Sequence, residues 1–159
     1  MVIAIDILAI VAALCTAVIF GTDVLGAVVM RPTFAEVDDR TLVRVIGRSH
    51  KYGNTRMPLP GILSVVAAAA TAVVGFVAGS VAAGAFAAFG LACLLLWLLL
   101  FNRISLPINN VLIAAAEADQ VPDNARALQE KWDSIINLRA TLQGLALLSF
   151  CVTLAVAAH

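Results

Sequence analysis

Residues 59–101 read LPGILSVVAAAATAVVGFVAGSVAAGAFAAFGLACLLLWLLLF, without one charged side chain. Charge stops at Arg56 and resumes at Arg103. At a rise of ~1.5 Å per residue, 59–78 and 81–101 are each long enough to cross ~30 Å of hydrocarbon. Gly79 and Ser80 alone separate the two runs, so the spacing predicts a tight antiparallel helical hairpin. Outward from this hairpin, an apolar stretch at 2–30 is interrupted by Asp6 and Asp23, and a second at 140–158 ends the sequence. The N-terminal stretch lacks the basic n-region of a signal peptide, because its first Lys or Arg is Arg31, and it is too long for an h-region. The expected fold is therefore an all-α integral membrane four-helix bundle, a single domain over 1–159. Its spans are expected at about 7–30, 58–78, 81–103 and 137–158.

Composition agrees with this reading. The 159 residues are 62% hydrophobic and 13% charged, with a mean hydropathy of +1.02. A soluble domain is about 45–50% apolar and about 25% charged, and a chain of this size buries only ~70% of the surface its unfolded form exposes. The excess must face lipid, which excludes a soluble enzyme, a nucleic-acid binder and a disordered linker. Ten Lys and Arg balance ten Asp and Glu, so no polyanionic partner is implied. Cys15, Cys93 and Cys151 fall one to a span with no CxxC or Cys-His spacing, and read as small buried apolar residues.

The basic residues set the expected orientation. Arg31, Arg40, Arg44, Arg48, Lys51 and Arg56 lie between helices one and two; Arg103, Arg126, Lys131 and Arg139 lie between helices three and four or just inside the fourth. The positive-inside rule then places both connections in the cytoplasm, in a cytoplasmic membrane of bacterial type, and both termini outside. The connections have helical periodicity of their own. About 33–53, Phe34, Val37, Leu42, Val45 and Ile46 share one side and Arg40, Arg44, Arg48 and Lys51 the other, which reads as an interfacial helix on an anionic leaflet. Pro122 suits the first turn of a second helix, whose stripe Leu128, Trp132, Ile135, Arg139 and Leu142 is expected to run straight into the fourth span.

Polar side chains inside or beside a span are site candidates because burying them unpartnered is costly. Asp23 sits about 12 Å deep by helical rise, either as an acid–base group or as the structural partner of Arg103 or Arg139. His50 lies on the apolar side of the interfacial helix near the mouth of the bundle, with Asn54 one turn on; an imidazole with its ordinary pKa suits proton transfer. Asn102, Ser105 and Asn109 share a face at the end of span three with Asn110 beside them, and Pro107 should kink or unwind that turn. Arg139, facing inward with Gln143 one turn deeper, needs Asp23, an amide or a bound anion. Trp132 serves either as an interface anchor or as the wall of an aromatic site. Glu117 and Asp119 read as solvated. Two histidines, one of them terminal, cannot supply a histidine-rich di-iron or haem site, so no cofactor is expected; a metal at His50 has weak support.

The stretches LPINN at 106–110 and KWDSIINLR at 131–139, with HKYGNTRMP at 50–58 and the small-residue segment 21–30, resemble the anthrone oxygenase-like family of small four-helix membrane proteins. The chain departs from that pattern at Ile136, where many members place His or Asn three residues before the Arg. The resemblance implies oxidation of an activated polyphenolic or enolisable carbon, in some members without a cofactor. His50 would be the base, with Arg139, Asn54 and Asn109 holding the enolate oxygen; Asp23, Asn110, Trp132, Asn102 and Gln143 would line the substrate. The expected partners are a lipophilic small molecule and membrane lipids, with a homo-oligomer allowed by the small-residue spans. The competing reading is a non-catalytic protein that binds a small molecule or lipid or stabilises a membrane complex; a transporter is a weaker third.

Overall fold

The computed structural model describes residues 1–157; Ala158, expected to close the fourth span, and His159 lie outside the described residues. Helix α1 (Val2–Leu25) passes through a π-helical turn (Gly26–Met30) into α2 (Arg31–Glu36). The chain then breaks at an extended Val37, and the Asp38 carboxylate accepts from the Thr41 N–H at 2.9 Å to start α3 (Asp39–Arg56). Then come α4 (Pro58–Val77) and α5 (Val81–Leu100), the latter continuing through a second π-helical turn (Phe101–Ser105) into α6 (Leu106–Glu117). Helices α7 (Ala125–Asp133) and α8 (Ile136–Ala157) complete the described chain, which contains no strand. Four stretches are long and apolar enough to cross a membrane: Val2–Glu36, Pro58–Val77, Val81–Glu117 and Ala125–Ala157.

The two π turns share a cause. Pro32 and Pro107 each stand two residues beyond the turn, and a proline both lacks the N–H and clashes with the carbonyl four residues back. That carbonyl, on Val28 or Arg103, lies inside the widened turn, which absorbs the misfit without ending the helix. The break expected at Pro107 is thus a π turn, and the same device recurs at Pro32.

Helices α1 and α5 each pack on both α4 and α8, so the four apolar helices form a ring in the order α1, α4, α5, α8. Ala67, Ala68, Leu94, Trp97, Ala146 and Phe150 fill its centre. At the hairpin end α4 and α5 nearly touch: a Cβ on Gly75 would lie 2.7 Å from the Gly84 nitrogen, so neither helix admits a larger residue there. Gly79, at φ +78°, makes the turn. Cys93 is buried as expected, whereas Cys151 faces outward and is exposed, because its position on α8 turns away from the ring.

The basic end is a separate layer. Leu42, Val43 and Ile46 of α3 pack on Ile108, Leu112, Ala115 and Ala116 of α6, with Phe34 and Ala125 closing the cluster. Asp119, in the left-handed region (φ 53°) that Asp tolerates, lies 2.7 Å from Arg44 and 3.3 Å from Arg40, while Glu117 pairs with Lys51 at 2.7 Å. These carboxylates are exposed yet paired. Such surface pairs contribute ~0–1 kcal/mol each, so the apolar seam holds the layer together. Two expectations are corrected here. The helix expected at 33–53 begins at Asp39, and its apolar face is covered by α6. The helix expected to run unbroken into the fourth span stops at Asp133 and resumes at Ile136.

Candidate functional site

Because α1 packs on α8, Asp23 meets Arg139 and Gln143. Arg139 Nη2 donates to Asp23 Oδ1 at 2.8 Å, and Gln143 Nε2 to Asp23 Oδ2 at 2.9 Å. Arg139 Nη1 also donates to Ser105 Oγ at 2.6 Å, an acceptor placed there by the second π turn. The rings of Trp132 and Phe101 flank the guanidinium, centroids 5.1 and 5.5 Å away. Both members of the ion pair are almost fully buried, so the pair neutralises its charges internally.

A second chain of contacts joins the basic layer to this cluster. Trp132 Nε1 donates to Asn109 Oδ1 at 3.0 Å, and Asn109 Nδ2 donates to Asn54 Oδ1 at 3.0 Å. His50 leans on the Trp132 ring with centroids 5.5 Å apart and planes at 40°. The seam between α3 and α6 is what carries His50 and Asn54 to this position.

Between these groups and the start of α4 lies a cavity of about 700 Å³, within the range of small-molecule sites. Asp23, His50, Asn54, Asn102, Asn109, Trp132 and Arg139 all line it, but most of the wall is carbon from residues such as Ile62, Val66 and Leu98. Two sequence candidates are not at the wall. Gln143 is buried behind Asp23, and Asn110, one residue beyond Asn109, is turned outward and exposed. Asn102 lines the cavity while its Nδ2 donates to the Leu98 carbonyl at 2.8 Å. The sequence reading missed Trp97 and Phe101, lining residues hidden in an uninterrupted apolar run, and the glycines that give the cavity its width. A Cβ on Gly53 would meet nothing within 4 Å, and one on Gly61 only Trp97 at 3.8 Å.

Arg139 Nε, Gln143 Oε1 and His50 Nε2 are buried without a partner. Burial, aided by the positive Arg139, pushes the His50 pKa down to about 4. At neutral pH His50 is therefore uncharged and free to accept a proton, and is a weaker base than an ordinary imidazole. An activity that needs neutral His50 should hold level from pH 7 to 5 and fall near pH 4. A pH–rate profile with its acid limb near 6.5 would contradict this placement. Among the described residues no three His, Cys, Asp or Glu side chains are grouped as a metal would require. No family model, curated protein or solved structure matches the chain.

Proposed function

We propose that the chain is an integral membrane enzyme that oxygenates an activated, anthrone- or enol-like carbon of a lipophilic small molecule, in the manner its resemblance to the anthrone oxygenase-like family implies. The basic end then faces the cytoplasm of a bacterial-type cell and both termini face outward. The carrying observation is the cavity: its carbon walls end in His50, Asn54 and Asn109, and it adjoins an outer surface of exposed Leu, Ile, Val and Phe side chains far larger than a water-soluble monomer shows.

In this reading His50 takes a proton from the acidic CH₂ of the substrate. The carbanion passes its electrons to dioxygen and the carbon–oxygen bond forms. The hydroperoxide then loses water, so that R₂CH₂ and O₂ become R₂C=O and H₂O with no further reductant. Arg139, already bound to Asp23 and Ser105, fixes the back wall, and the side-chain N–H groups of Asn54 and Asn109, which line the cavity, would hold the developing enolate oxygen. The test supplies an anthrone to the purified, reconstituted protein and follows oxygen uptake and quinone absorbance. His50→Ala should lower turnover by roughly 10²–10⁴-fold while yield and insertion stay unchanged. Full rate in both His50→Ala and Asn54→Ala would remove the assignment.

The second reading, a non-catalytic binder of a small molecule or lipid, is favoured by one observation: the Asp23 carboxylate and the Arg139 guanidinium neutralise each other's charge inside the protein. Native mass spectrometry of the gently solubilised protein separates the two, since a retained lipid with no turnover supports the binder.

A further inference from the structure

Ile62 and Val66 of α4 and Leu98 of α5 line the cavity, and they are also 61%, 58% and 37% exposed. A side chain that does both marks a gap in the wall. Thr22 and Leu25 of α1 also do both, so the cavity opens sideways on either side of α4, and one of these openings lies between α4 and α5. The two helices leave no room for a Cβ at Gly75, which would lie 2.7 Å from the Gly84 nitrogen, whereas one at Gly61, near the basic end, would meet only Trp97 at 3.8 Å. There, Arg56 ends α3 two residues before α4 begins and Arg103 lies in the π turn that follows α5. Because the helices are antiparallel, both residues belong to the same end of the hairpin, where the Arg56 guanidinium rests over the Tyr52 ring, 4.9 Å from its centroid. Both are exposed, and among the described residues neither forms an ion pair, as is also true of Arg31, Arg48 and Lys131.

A lateral apolar slot with two exposed arginines, neither paired with a carboxylate, at one end matches one kind of molecule. The chain of a lipid satisfies the slot, and an anionic phosphate satisfies the arginines. A zwitterionic lipid satisfies only the first, and a free inorganic anion only the second. We propose that the opening between α4 and α5 takes an acyl chain of an anionic phospholipid, with the headgroup phosphate held by Arg56 and Arg103. Any lipophilic substrate then reaches His50 by displacing that chain from the side. The inference requires insertion in a bilayer but not turnover.

The chain's own fluorophores report occupancy, because it has two tryptophans, Trp97 and Trp132, and both line the cavity. The full-length protein is reconstituted into phosphatidylcholine vesicles carrying increasing fractions of phosphatidylglycerol or phosphatidylcholine with brominated acyl chains. Half-quenching is expected at about thirtyfold lower mole fraction of brominated phosphatidylglycerol, from two cations near the membrane surface. Arg56→Gln combined with Arg103→Gln should reduce that preference below about threefold. Gly53→Leu, at a lining position where an added Cβ meets nothing within 4 Å, should remove most quenching by either lipid. Equal quenching by the two lipids in the native protein, or undiminished quenching in Gly53→Leu, overturns the inference. Flotation with the vesicles is scored in parallel. A chain that does not float overturns the proposed insertion together with this inference, whereas one that floats but shows no lipid preference overturns this inference alone.

Discussion

Replacing Arg139 by methionine should cost about 3–5 kcal/mol, because it leaves the Asp23 carboxylate buried without its cation. Asp23 and Arg139 are 6% and 5% exposed and their closest contact is 2.8 Å. Gln143 alone cannot neutralise the charge that remains. The expected result is a sharp loss of monodisperse protein after solubilisation and a lower midpoint in a thermal unfolding assay. The double variant Asp23→Leu with Arg139→Met should recover most of the lost stability, since a well-packed apolar pair can replace a buried ion pair at little cost. Turnover of the double variant then separates two roles. If it folds and turns over at the native rate, the pair is a structural latch between α1 and α8. If it folds and is inactive, the guanidinium acts on the substrate. A single variant as stable as the native protein would mean that the pair is not closed as described.

That pairing was legible in the sequence because a carboxylate deep in an apolar run has few available partners, here Arg103 and Arg139. The four apolar helices and the Gly79-Ser80 turn were legible for the same reason: long uncharged runs leave no alternative of comparable stability. The cover of α3 was not. An amphipathic stripe has the same pattern whether lipid or another helix buries it, and only the continuation of α6 beyond the π turn offers Ile108, Leu112 and Ala116 as the partner. The π turns also limited the site reading. A widened turn shifts the helical phase downstream, and a single residue separates Asn109, which joins Asn54 and Trp132, from Asn110, which faces away. His50 was legible as a candidate, but its pKa near 4 was not, because that value comes from burial created by elements distant in sequence.

Gly47→Leu should have the second largest effect, and a different one. A Cβ on Gly47 would lie 2.4 Å from the Leu112 carbonyl oxygen and 2.5 Å from the Ala116 Cβ. Neither atom is the end of a flexible side chain, so α3 must lift off α6. Overpacking of this kind costs about 1–3 kcal/mol or more, and here it falls on the seam of Leu42, Val43 and Ile46 that positions the helix. His50 lies one turn further along α3 and Asn54 two, so lifting α3 withdraws both from Trp132 and Asn109. The ring of α1, α4, α5 and α8 has its own core around Leu94 and Phe150 and does not need that seam. Circular dichroism should therefore stay close to native, while limited proteolysis begins to cut around residues 37–38, where the chain is extended. Turnover or ligand binding should fall by about a hundredfold, as expected when reacting groups lose their alignment. Gly21→Leu is the matched control, because a Cβ there meets nothing within 4 Å and Gly21 does not line the cavity. If Gly47→Leu instead retains native protease resistance and native binding, then α3 does not owe its position to the seam with α6, and the placement of His50 at the cavity loses its physical cause.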